Sequence, residues 1–460
     1  MIKKILNKII KDKKVLILGF GKEGQSTYRT LRKYFPEQDY TISDRDISVK
    51  NNELIKDDKH LKFVLGKSYL DCLNDFDLII KSPGISLKNL VPSISLNKIT
   101  SQSDIFINLF YSQIIGITGT KGKSTTACLI YHIIHLFTDN SILVGNIGIP
   151  PFEKIDDINR DTKIVYELSS HQLEHISSSP HISILLNLFH EHLDYYKSFN
   201  DYQLAKFNIT KYQNKNDYLI YNADDKLIEK QINESGFKRN YFKYSLKNKV
   251  NQGCYIDKNL IKFCFNDKKE ENIYDLDEKR FLKGEHNIMN IMAAINVCKI
   301  TGVPDNIIVK GISDFKGLEH RIEYVGKYNN IYFYNDSIAT IPEATTEAIK
   351  TLKKVDTIIL GGYDRGIDYT DLIKFISKSS VRNLIFIDKA GKRMLNELGQ
   401  YKNKKQRYFY VYTLEDAVKT AKNNTKENFV CLLSPAAASY GMFKNFEQRG
   451  KIYKKLVRIV

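Results

Sequence analysis

The sequence predicts an α/β protein of three domains, and three observations support this prediction. Short apolar runs typical of buried strands alternate with segments of helical periodicity over most of the 460 residues. Glycine-rich turns at residues 19–24 and 119–122 each join such a strand to a helix. The chain is also longer than one hydrophobic core supports. We expect domains at residues 1–110, 111–317 and 318–460.

Composition excludes several classes of protein. The chain is 42% hydrophobic and 27% charged, and no apolar run reaches the roughly 18 residues of a membrane span. The net charge is +17, but the lysines are spread along the chain, which favours a solvated surface over a nucleic-acid site. Six cysteines without a CxxC pair predict neither zinc nor a disulfide framework. They suit a reducing compartment, and we expect a cytoplasmic protein.

The N-terminal segment is basic and lacks the apolar core of a signal peptide. Apolar side chains fall on one helical face, opposite four lysines: Ile2, Ile5, Leu6, Ile9 and Ile10. This pattern favours a helix that packs on the first domain. A helix lying on a membrane surface is the alternative.

The first domain has the pattern of a dinucleotide-binding unit. A strand at residues 14–18 enters the turn that carries Gly19, Gly21 and Gly24, and a helix follows to about Tyr34. A second strand ends at Asp44, 20 residues past Gly24, where an acid would lie near a ribose. A third strand, at residues 77–80, ends before a Ser-Pro-Gly turn at residues 82–84. We expect a nucleotide-shaped crevice at this edge, although the glycine pattern alone is weak evidence.

The segment from Gly116 to Thr126 opens the second domain and predicts a phosphate loop. It lies between an apolar strand and a helix, the setting in which backbone N–H groups hold phosphates. Lys123 would reach the β- and γ-phosphates, and the Ser124 hydroxyl would bind Mg²⁺. Ile117 occupies the first glycine position of the common pattern, whereas the form G-T-x-G-K-S-T fits throughout. An ordinary tight turn is the alternative.

Further polar residues follow the strands of this domain. Glu167 ends an apolar strand, the place of a metal ligand beside a phosphate loop. A buried strand at residues 182–188 runs into His190-Glu191-His192-Leu193-Asp194. His190, His192 and Asp194 alone would suggest a zinc-dependent hydrolase, whereas beside a phosphate loop one histidine near Mg²⁺ is favoured. Lys206 lies on the next helix, at residues 199–212. No role is assigned to residues 235–280.

The third domain alternates strands and helices and predicts a doubly wound parallel sheet. Polar loops follow the predicted strands at residues 331–334, 357–360 and 429–433. They contain Asn335-Asp336-Ser337, Gly361-Gly362-Tyr363-Asp364-Arg365-Gly366 and Ser434-Pro435-Ala436-Ala437-Ala438-Ser439. Ligands of open α/β sheets bind at this edge.

The ordered set of motifs resembles the Mur ligase family, the ATP-dependent amide ligases of peptidoglycan precursor synthesis. The resemblance covers essentially the whole chain. It rests on GTKGKSTT, GNIG, YELSSHQLE, the HEHLD loop, the Lys206 helix, GEHN, EHRIE, NDS and SPAAAS with FKNFEQRG. The family implies an N-terminal Rossmann-like domain for the UDP-linked substrate, a central ATPase domain and a C-terminal Rossmann-like domain for the amino acid.

The resemblance also implies a reaction and its ligands. SPGIS in the first domain and SPAAAS with FKNFEQRG at the end are most similar to members that join glutamate to UDP-N-acetylmuramoyl-L-alanine. ATP would phosphorylate the substrate carboxylate, with Mg²⁺ as cofactor, and the glutamate amine would attack the acyl phosphate. We expect a monomer, with no nucleic-acid partner and no stable membrane insertion.

Site residues carry over from the family's motifs, position by position. Catalysis falls to Lys123, Glu167, His192 and Lys206, and the metal ligands are Ser124, Glu167, His192 and Lys206 as a carbamate. The ATP site comprises Gly119, Thr120, Lys121, Gly122, Lys123, Ser124, Thr125, Asn146, Asn287, Arg321 and Asp336. The UDP-substrate site comprises Gly19, Gly21, Gly24, Asp44, Arg45, Ser82, Pro83 and Gly84. The glutamate site comprises Thr340, Arg365, Ser439 and Phe446.

The amino-acid pocket departs from the family pattern. Ile338 stands where many members have a lysine, and Arg365 stands where a lysine is common. Arginine grips a carboxylate through two parallel hydrogen bonds. Overall resemblance favours D-glutamate, but a variant group that uses L-glutamate resembles this loop, so L-glutamate remains the alternative.

Overall fold

The computed structural model describes residues 2–87, 95–147, 149–189, 195–236, 239–266, 269–352 and 354–459. The chain divides into two compact units, Met1–Phe315 and Lys316–Val460. The first unit contains two sheets and the second contains one. Within the described residues, no helix is both long enough and apolar enough to cross a membrane.

The first sheet has five parallel strands in the order β3-β2-β1-β4-β5. Its elements are α1 (Ile2–Ile10), β1 (Val15–Leu18), α2 (Lys22–Tyr34), β2 (Tyr40–Asp44), β3 (Leu61–Leu65), β4 (Leu78–Lys81), β5 (Ile99–Thr100) and α3 (Gln102–Phe110). Leu6 and Ile10 of α1 lie in the same buried cluster as Val15 and Ile17. The prediction that the N-terminal helix packs on the first domain is therefore confirmed.

The second sheet has nine strands in the order β14-β13-β12-β11-β10-β9-β6-β8-β7. Its elements are β6 (Ile114–Thr118), α4 (Lys123–Phe137), β7 (Ser141–Gly145), β8 (Lys163–Glu167), α5 (Ser170–Leu173), β9 (Ile182–Leu185), α6 (Phe199–Lys211), β10 (Tyr218–Asn222), α7 (Lys226–Ser235), β11 (Asn240–Ser245), β12 (Gly253–Asp257), β13 (Leu260–Phe265), β14 (Lys269–Asp275), α8 (Glu285–Ile300) and α9 (Asp305–Asp314). Strands β12 to β14 pair antiparallel and the others parallel.

The predicted strand at residues 182–188 is too long. Strand β9 ends at Leu185, and the residues that follow bond first to the last residue of β6 and then to the phosphate loop. The Leu186 N–H donates to Thr118 O, and the Thr120 N–H donates to Asn187 O. The segment after β9 thus forms one wall of that loop.

One hydrophobic cluster is shared by the first and second sheets. It includes Val15 and Ile42 of the first sheet, Phe106 of α3, and Ile114 and Tyr166 of the second. The Tyr166 hydroxyl donates to Ser103 Oγ at 2.8 Å, so this buried polar tip is satisfied. The first two domains are therefore joined through a common core.

The second unit has a six-stranded sheet in the order β15-β16-β20-β17-β18-β19. Its elements are β15 (Glu323–Tyr328), β16 (Ile331–Asn335), α10 (Pro342–Thr351), β17 (Val355–Gly361), α11 (Thr370–Lys378), β18 (Asn383–Ile387), α12 (Asp388–Glu397), β19 (Arg407–Val411), α13 (Leu414–Asn424), β20 (Val430–Leu433) and α14 (Phe446–Ile459). Sequence reasoning missed β15, which pairs antiparallel with β16. Asn329 and Asn330 both have positive φ, so Asn-Asn was the available hairpin signal.

Candidate active site

The phosphate loop is shaped by two glycines and by Asn187. Gly119 has φ of 154° and Gly122 has φ of 88°, conformations that side-chain-bearing residues rarely adopt. A Cβ on Gly119 would lie 2.8 Å from the Leu186 Cβ. The Asn187 side chain accepts from the Lys121 N–H at 2.8 Å and donates to the Lys121 carbonyl at 2.9 Å. Asn187 therefore fixes the position of the loop's tip. Lys123 begins α4 two residues later.

Helix α8 lies against the other side of this loop. A Cβ on Gly122 would be 2.6 Å from Asn290 Oδ1, so only glycine fits there. Asn290 Nδ2 in turn donates to Asn287 Oδ1 at 3.1 Å. The structure thereby places Asn287, a predicted nucleotide contact, one side chain away from the phosphate loop.

Two lysines converge on one carbonyl of the loop. Lys123 Nζ donates to Gly119 O and Thr120 O, both at 2.9 Å, and Lys206 Nζ donates to Gly119 O at 2.8 Å. Lys206 is only 2% exposed, and its ammonium lies 4.7 Å from the Tyr202 ring centroid. The Tyr202 hydroxyl bonds Thr120 Oγ1 at 2.9 Å. Tyr202 and Lys206 therefore bond helix α6 to the phosphate loop.

Glu167 ends β8 beside the phosphate strand. It pairs in register with Ile117, one residue before the end of β6, and it is fully buried. Asn146 Nδ2 donates to Glu167 Oε1 at 3.0 Å, whereas no hydrogen-bond partner is found for Oε2 among the described residues. A buried carboxylate oxygen without a donor is costly unless a cation binds it. The site therefore fits Mg²⁺, which prefers oxygen ligands and retains water and phosphate ligands.

Gly145 permits the close approach of the Asn146 turn. Its φ is 112°, and a Cβ would lie 2.2 Å from the Glu167 carbonyl oxygen. The Asn146 N–H donates to that same oxygen at 3.0 Å. The sequence predicted Asn146 for ATP and Glu167 for metal, and the structure brings the two side chains together.

The remaining loop residues flank these groups. Ser124 and Thr125 are half-buried in the first turn of α4, beside Lys123, and Lys121 is exposed. His190, His192 and Asp194 lie outside the described residues, so their predicted roles in metal binding or hydrolysis stay predictions. Within the described part of the chain, no group of three His, Cys, Asp or Glu side chains could hold a metal ion.

The predicted UDP residues gather where β1, β2 and β4 end side by side. Gly24 approaches so closely that a Cβ would lie 2.0 Å from Gly19 O. Ser82 Oγ donates to the same carbonyl at 3.0 Å. Asp44 accepts from the Phe20 N–H at 2.6 Å, which braces the glycine turn, and the neighbouring Arg45 is exposed.

Three further predicted UDP residues lie near the hydrogen bond between Asp44 and the Phe20 N–H. Gly21 caps α2, and Pro83 and Gly84 follow Ser82 in the turn after β4. A Cβ on Gly21 or Gly84 would meet open space, so neither glycine is required by packing. Both positions therefore border the open side of the crevice.

In the second unit, Asp336 organises the turn that carries Arg321. It is 3% exposed and accepts from Ser434 Oγ at 2.7 Å and from the Ile322 N–H at 3.1 Å. Burial raises the pKa of Asp336 to about 7, although the hydrogen bonds and the Arg321 and Arg449 charges oppose the shift. Arg321 itself is exposed.

The same turn holds a strained backbone. His320 and Ile322 have φ of 65° and 46°, and a β-branched residue such as isoleucine rarely adopts such values. Strain of this kind costs about 1–3 kcal/mol per residue and persists only where neighbouring contacts enforce it. Here Asp336 bonds the Ile322 N–H, and the His320 ring packs so tightly that a Cβ on Gly450 would meet it at 2.1 Å.

The four predicted glutamate residues stand on three neighbouring loops. Arg365 Nη2 donates to Thr340 O at 2.8 Å, so these two meet directly. Ser439 is buried beside Ala438, whose carbonyl accepts from the Tyr363 N–H at 2.8 Å. The Phe446 carbonyl accepts from Ser337 Oγ at 2.8 Å.

Arg449 ties these loops together, and sequence reasoning assigned it no role. Its fully buried guanidinium donates to Ser337 Oγ, Ser337 O, Ala437 O and Ala438 O at 2.8–3.3 Å. Burial lowers the pKa of Arg449, and Asp336 counteracts this effect. A permanently charged arginine on the helix that follows the Ser434–Ser439 loop was the available signal.

Three family models match the chain. The Mur ligase MurD-like N-terminal domain matches residues 13–98, the Mur ligase middle domain residues 117–298 and the Mur ligase glutamate ligase domain residues 320–437. The first match contains the predicted UDP residues and the second contains the phosphate loop with Glu167 and Lys206, whereas the third contains Arg321, Asp336, Thr340 and Arg365 and ends before Ser439 and Phe446.

Curated relatives match over nearly their whole length. The UDP-N-acetylmuramoylalanine–D-glutamate ligases of Thermoanaerobacter sp. (strain X514) and Ruminiclostridium cellulolyticum are each 34% identical to this chain. The alignments cover 97% and 98% of this chain and 98% and 97% of those proteins.

Solved structures share the fold at lower identity. The UDP-N-acetylmuramate–alanine ligase of Thermotoga maritima is 17% identical, covers 97% of this chain and 99% of its own, and gives a TM-score of 0.54. The MurF ligase of the same organism, solved in complex with ADP, is 14% identical, covers 96% of this chain and 95% of its own, and gives 0.55. Together with the family models and the curated relatives, these matches show that the chain belongs to the Mur ligase family.

Proposed function

We propose that this chain catalyses the ATP-dependent joining of D-glutamate to UDP-N-acetylmuramoyl-L-alanine, in the synthesis of peptidoglycan precursors. The observation that carries the proposal is the arrangement at the phosphate loop, where Lys123 and Lys206 meet at Gly119 O. Beside it, Glu167 presents a buried oxygen that has no hydrogen-bond donor among the described residues. The names of the curated relatives supply the substrates.

The chemistry requires activation, because a carboxylate does not react with an amine at neutral pH. The carboxylate of the UDP-linked substrate attacks the ATP γ-phosphate, which forms an acyl phosphate and releases ADP. The glutamate amine then attacks the acyl carbon, phosphate leaves, and the new amide nitrogen loses a proton. Positioning and charge neutralisation account for most catalysis of this kind.

Lys123 is suited to the first step by its present contacts. Its ammonium bonds two carbonyls of its own loop at 2.9 Å, so a bound phosphate can replace them without a change in the fold. We propose that the N–H groups of residues 119–125 bind the phosphates, with Asn146, Asn287, Arg321 and Asp336 as further nucleotide contacts.

Mg²⁺ would neutralise charge on the transferring phosphoryl group. We propose that Ser124 and Glu167 hold it, together with His192 and with Lys206 as a carbamate. The carbamate is favoured by the geometry, since two ammonium groups directed at Gly119 O repel each other. Addition of CO₂ to the Lys206 amine, with loss of a proton, would replace that repulsion by an attraction to Lys123.

Isotopically labelled bicarbonate tests the carbamate directly. A carbamate carbon signal should appear in the wild type and be absent from Lys206→Ala, and short carboxylic acids should partly restore turnover to that variant. A fully active wild type in CO₂-free buffer, with no carbamate signal, would contradict the proposal.

The substrates are assigned to the two remaining groups of residues. We propose that Gly19, Gly21, Gly24, Asp44, Arg45 and Ser82-Pro83-Gly84 bind the UDP-linked substrate. Thr340, Arg365, Ser439 and Phe446 would bind glutamate, with Arg365 on a carboxylate. We further propose that the enzyme acts as a monomer in the cytoplasm, where ATP and UDP-linked precursors are available.

A paired assay tests the function. ADP release and product mass are measured with UDP-N-acetylmuramoyl-L-alanine and either D- or L-glutamate, with glutamate omitted as the control. We expect product from D-glutamate only. Product from L-glutamate only would overturn the stereochemistry, and hydrolysis without any glutamate-containing product would overturn the ligase assignment.

A further inference from the structure

A buried lysine stands at the end of β4, immediately before the Ser82-Pro83-Gly84 turn. Lys81 is 3% exposed, and its ammonium lies 3.3 Å from Ser82 O, 3.3 Å from the Tyr195 hydroxyl oxygen and 3.6 Å from Glu174 Oε2. Burial lowers the pKa of Lys81, and the charges of Glu174 and Glu23 oppose this effect. A buried cation is stable only with such partners, so these contacts are tightly constrained.

Tyr195 connects the lysine to the turn. Its hydroxyl lies 2.9 Å from Glu174 Oε2, 3.0 Å from Ile85 O and 3.3 Å from Pro83 O. Burial and the nearby Glu174 carboxylate raise the pKa of Tyr195, so the phenol keeps its proton. One phenol donates to one acceptor at a time, while its oxygen accepts from Lys81. Two carbonyls of the turn and one carboxylate therefore share a single donor.

The three residues come from three parts of the first unit. Lys81 belongs to the first sheet, Glu174 follows α5 a few residues after Glu167, and Tyr195 precedes α6, which carries Lys206. We propose that Lys81, Glu174 and Tyr195 form a positioning triad, which fixes the Ser82-Pro83-Gly84 turn, and with it the UDP-linked substrate, relative to the phosphate loop. This inference rests on the proposed function.

A second contact ties the other UDP turn to the same short helix. Gln172 Nε2 donates to Glu23 Oε1 at 2.6 Å, and Gln172 Oε1 accepts from the Ser169 N–H at 3.0 Å. Glu23 lies in the first turn of α2, directly behind the glycine turn. Both turns that would hold the UDP-linked substrate are thus bonded to the segment that follows Glu167.

Positioning of this kind matters because the substrate carboxylate must lie in line with the γ-phosphate. A displacement of about 1 Å from a productive geometry costs roughly 10²-fold in rate. None of the three triad residues need touch a reacting atom to have this effect.

Three near-isosteric variants test the triad: Tyr195→Phe, Glu174→Gln and Lys81→Met. Each should raise KM for the UDP-linked substrate by roughly tenfold or more, because the turn loses its anchor, while KM for ATP changes by less than about twofold. Combining Lys81→Met with Glu174→Gln should cost little more than either alone, since the groups act as a unit. Lys154→Met is the control, because it removes a surface ion pair with Asp157, 2.8 Å long, in the same unit.

Thermal melting separates positioning from loss of fold. A folded Tyr195→Phe enzyme with wild-type KM for the UDP-linked substrate would overturn the triad, and so would an equal rise in KM for all three substrates. If the wild type formed no product, the ligase proposal would fail by itself. The dissociation constant of the UDP-linked substrate, measured by calorimetry, would then test the triad with the same expected ratio.

Discussion

The phosphate loop and the loops around Arg449 differ in how their buried charged groups are hydrogen-bonded. At the phosphate loop, Lys123 and Lys206 rest on carbonyls of the loop itself, and one oxygen of Glu167 has no donor among the described residues. Around Arg449 the guanidinium bonds three residues on two loops, and both oxygens of Asp336 accept hydrogen bonds.

We interpret the difference as one between groups placed to bind a ligand and groups that build a scaffold. Carbonyl contacts to Lys123 can be exchanged for phosphate contacts at little cost, because the lysine has a flexible stem. Arg449 has no such freedom, since loss of its contacts would take a donor from the buried carbonyls of Ser337 and Ala437. We therefore expect mutations at the first region to affect turnover and mutations at the second to affect stability.

Arg449→Met should give the largest effect. Removing its guanidinium should cost about 1–3 kcal/mol for each buried carbonyl that loses its donor. Urea unfolding of the full chain measures this loss. Arg458→Met, an exposed arginine on the same helix, is the control and should change stability by less than about 0.5 kcal/mol. Equal stability of the two variants would contradict the expectation that the loops around Arg449 are needed for the stability of the fold.

Lys123→Ala should lower kcat by roughly 10²–10³-fold with little change in melting temperature. The reason is that the Lys123 ammonium bonds carbonyls of its own loop, whereas we propose that its charge acts on the phosphates. The exposed Lys215→Ala serves as the matched control. Turnover of Lys123→Ala close to the wild-type rate would show that the phosphate-loop assignment is wrong.

Asp336 predicts a pH dependence of stability. Its pKa is raised from 3.8 to about 7 in the folded state, so the folded protein binds the proton more tightly than the unfolded chain. The contribution of Asp336 to the free energy of unfolding is complete below about pH 4 and is lost as the pH rises to about 7. Above that pH the free energy of unfolding no longer changes through this group. The total is on the order of 4 kcal/mol.

Asp336→Asn checks this dependence, because the amide keeps the shape and does not titrate. The difference in unfolding free energy between wild type and variant should change steadily between pH 4 and pH 7. A constant difference over that range would show that Asp336 is ionised throughout.

Arg365→Ala should have the smallest effect, a rise in KM for glutamate of roughly tenfold with KM for ATP unchanged. Arg365 is exposed and bonds only Thr340 O among the contacts described above, so its loss should leave the fold intact. The exposed Arg407→Ala is the control. A matching rise in KM for ATP would argue against a role specific to glutamate.

Sequence reasoning predicted those parts of the molecule that depend on local pattern. The phosphate loop follows from a strand, two glycines and a helix within 25 residues, and Glu167 follows from its place at a strand end. Such signals are local, because period and turn chemistry act over a few residues.

The parts that sequence reasoning missed depend on contacts between distant residues. Asn187 bonds the phosphate loop across 66 positions, and Arg449 bonds Ser337 across 112. No periodicity marks such pairs, since each needs the folded backbone to bring a side chain to a carbonyl. The strand predicted to reach residue 188 was too long for the same reason, since Asn187 bonds the phosphate loop and no local pattern marks this contact.

The buried cluster shared by the first two sheets has a consequence for how the chain unfolds. Elements that share one core cannot lose their packing separately, so residues 2–315 should melt in one cooperative transition despite containing two sheets. A fragment ending near residue 110 would expose Phe106, Phe110 and their neighbours and should aggregate rather than fold. Proteases should therefore cut near Lys316 well before they separate the first sheet from the second.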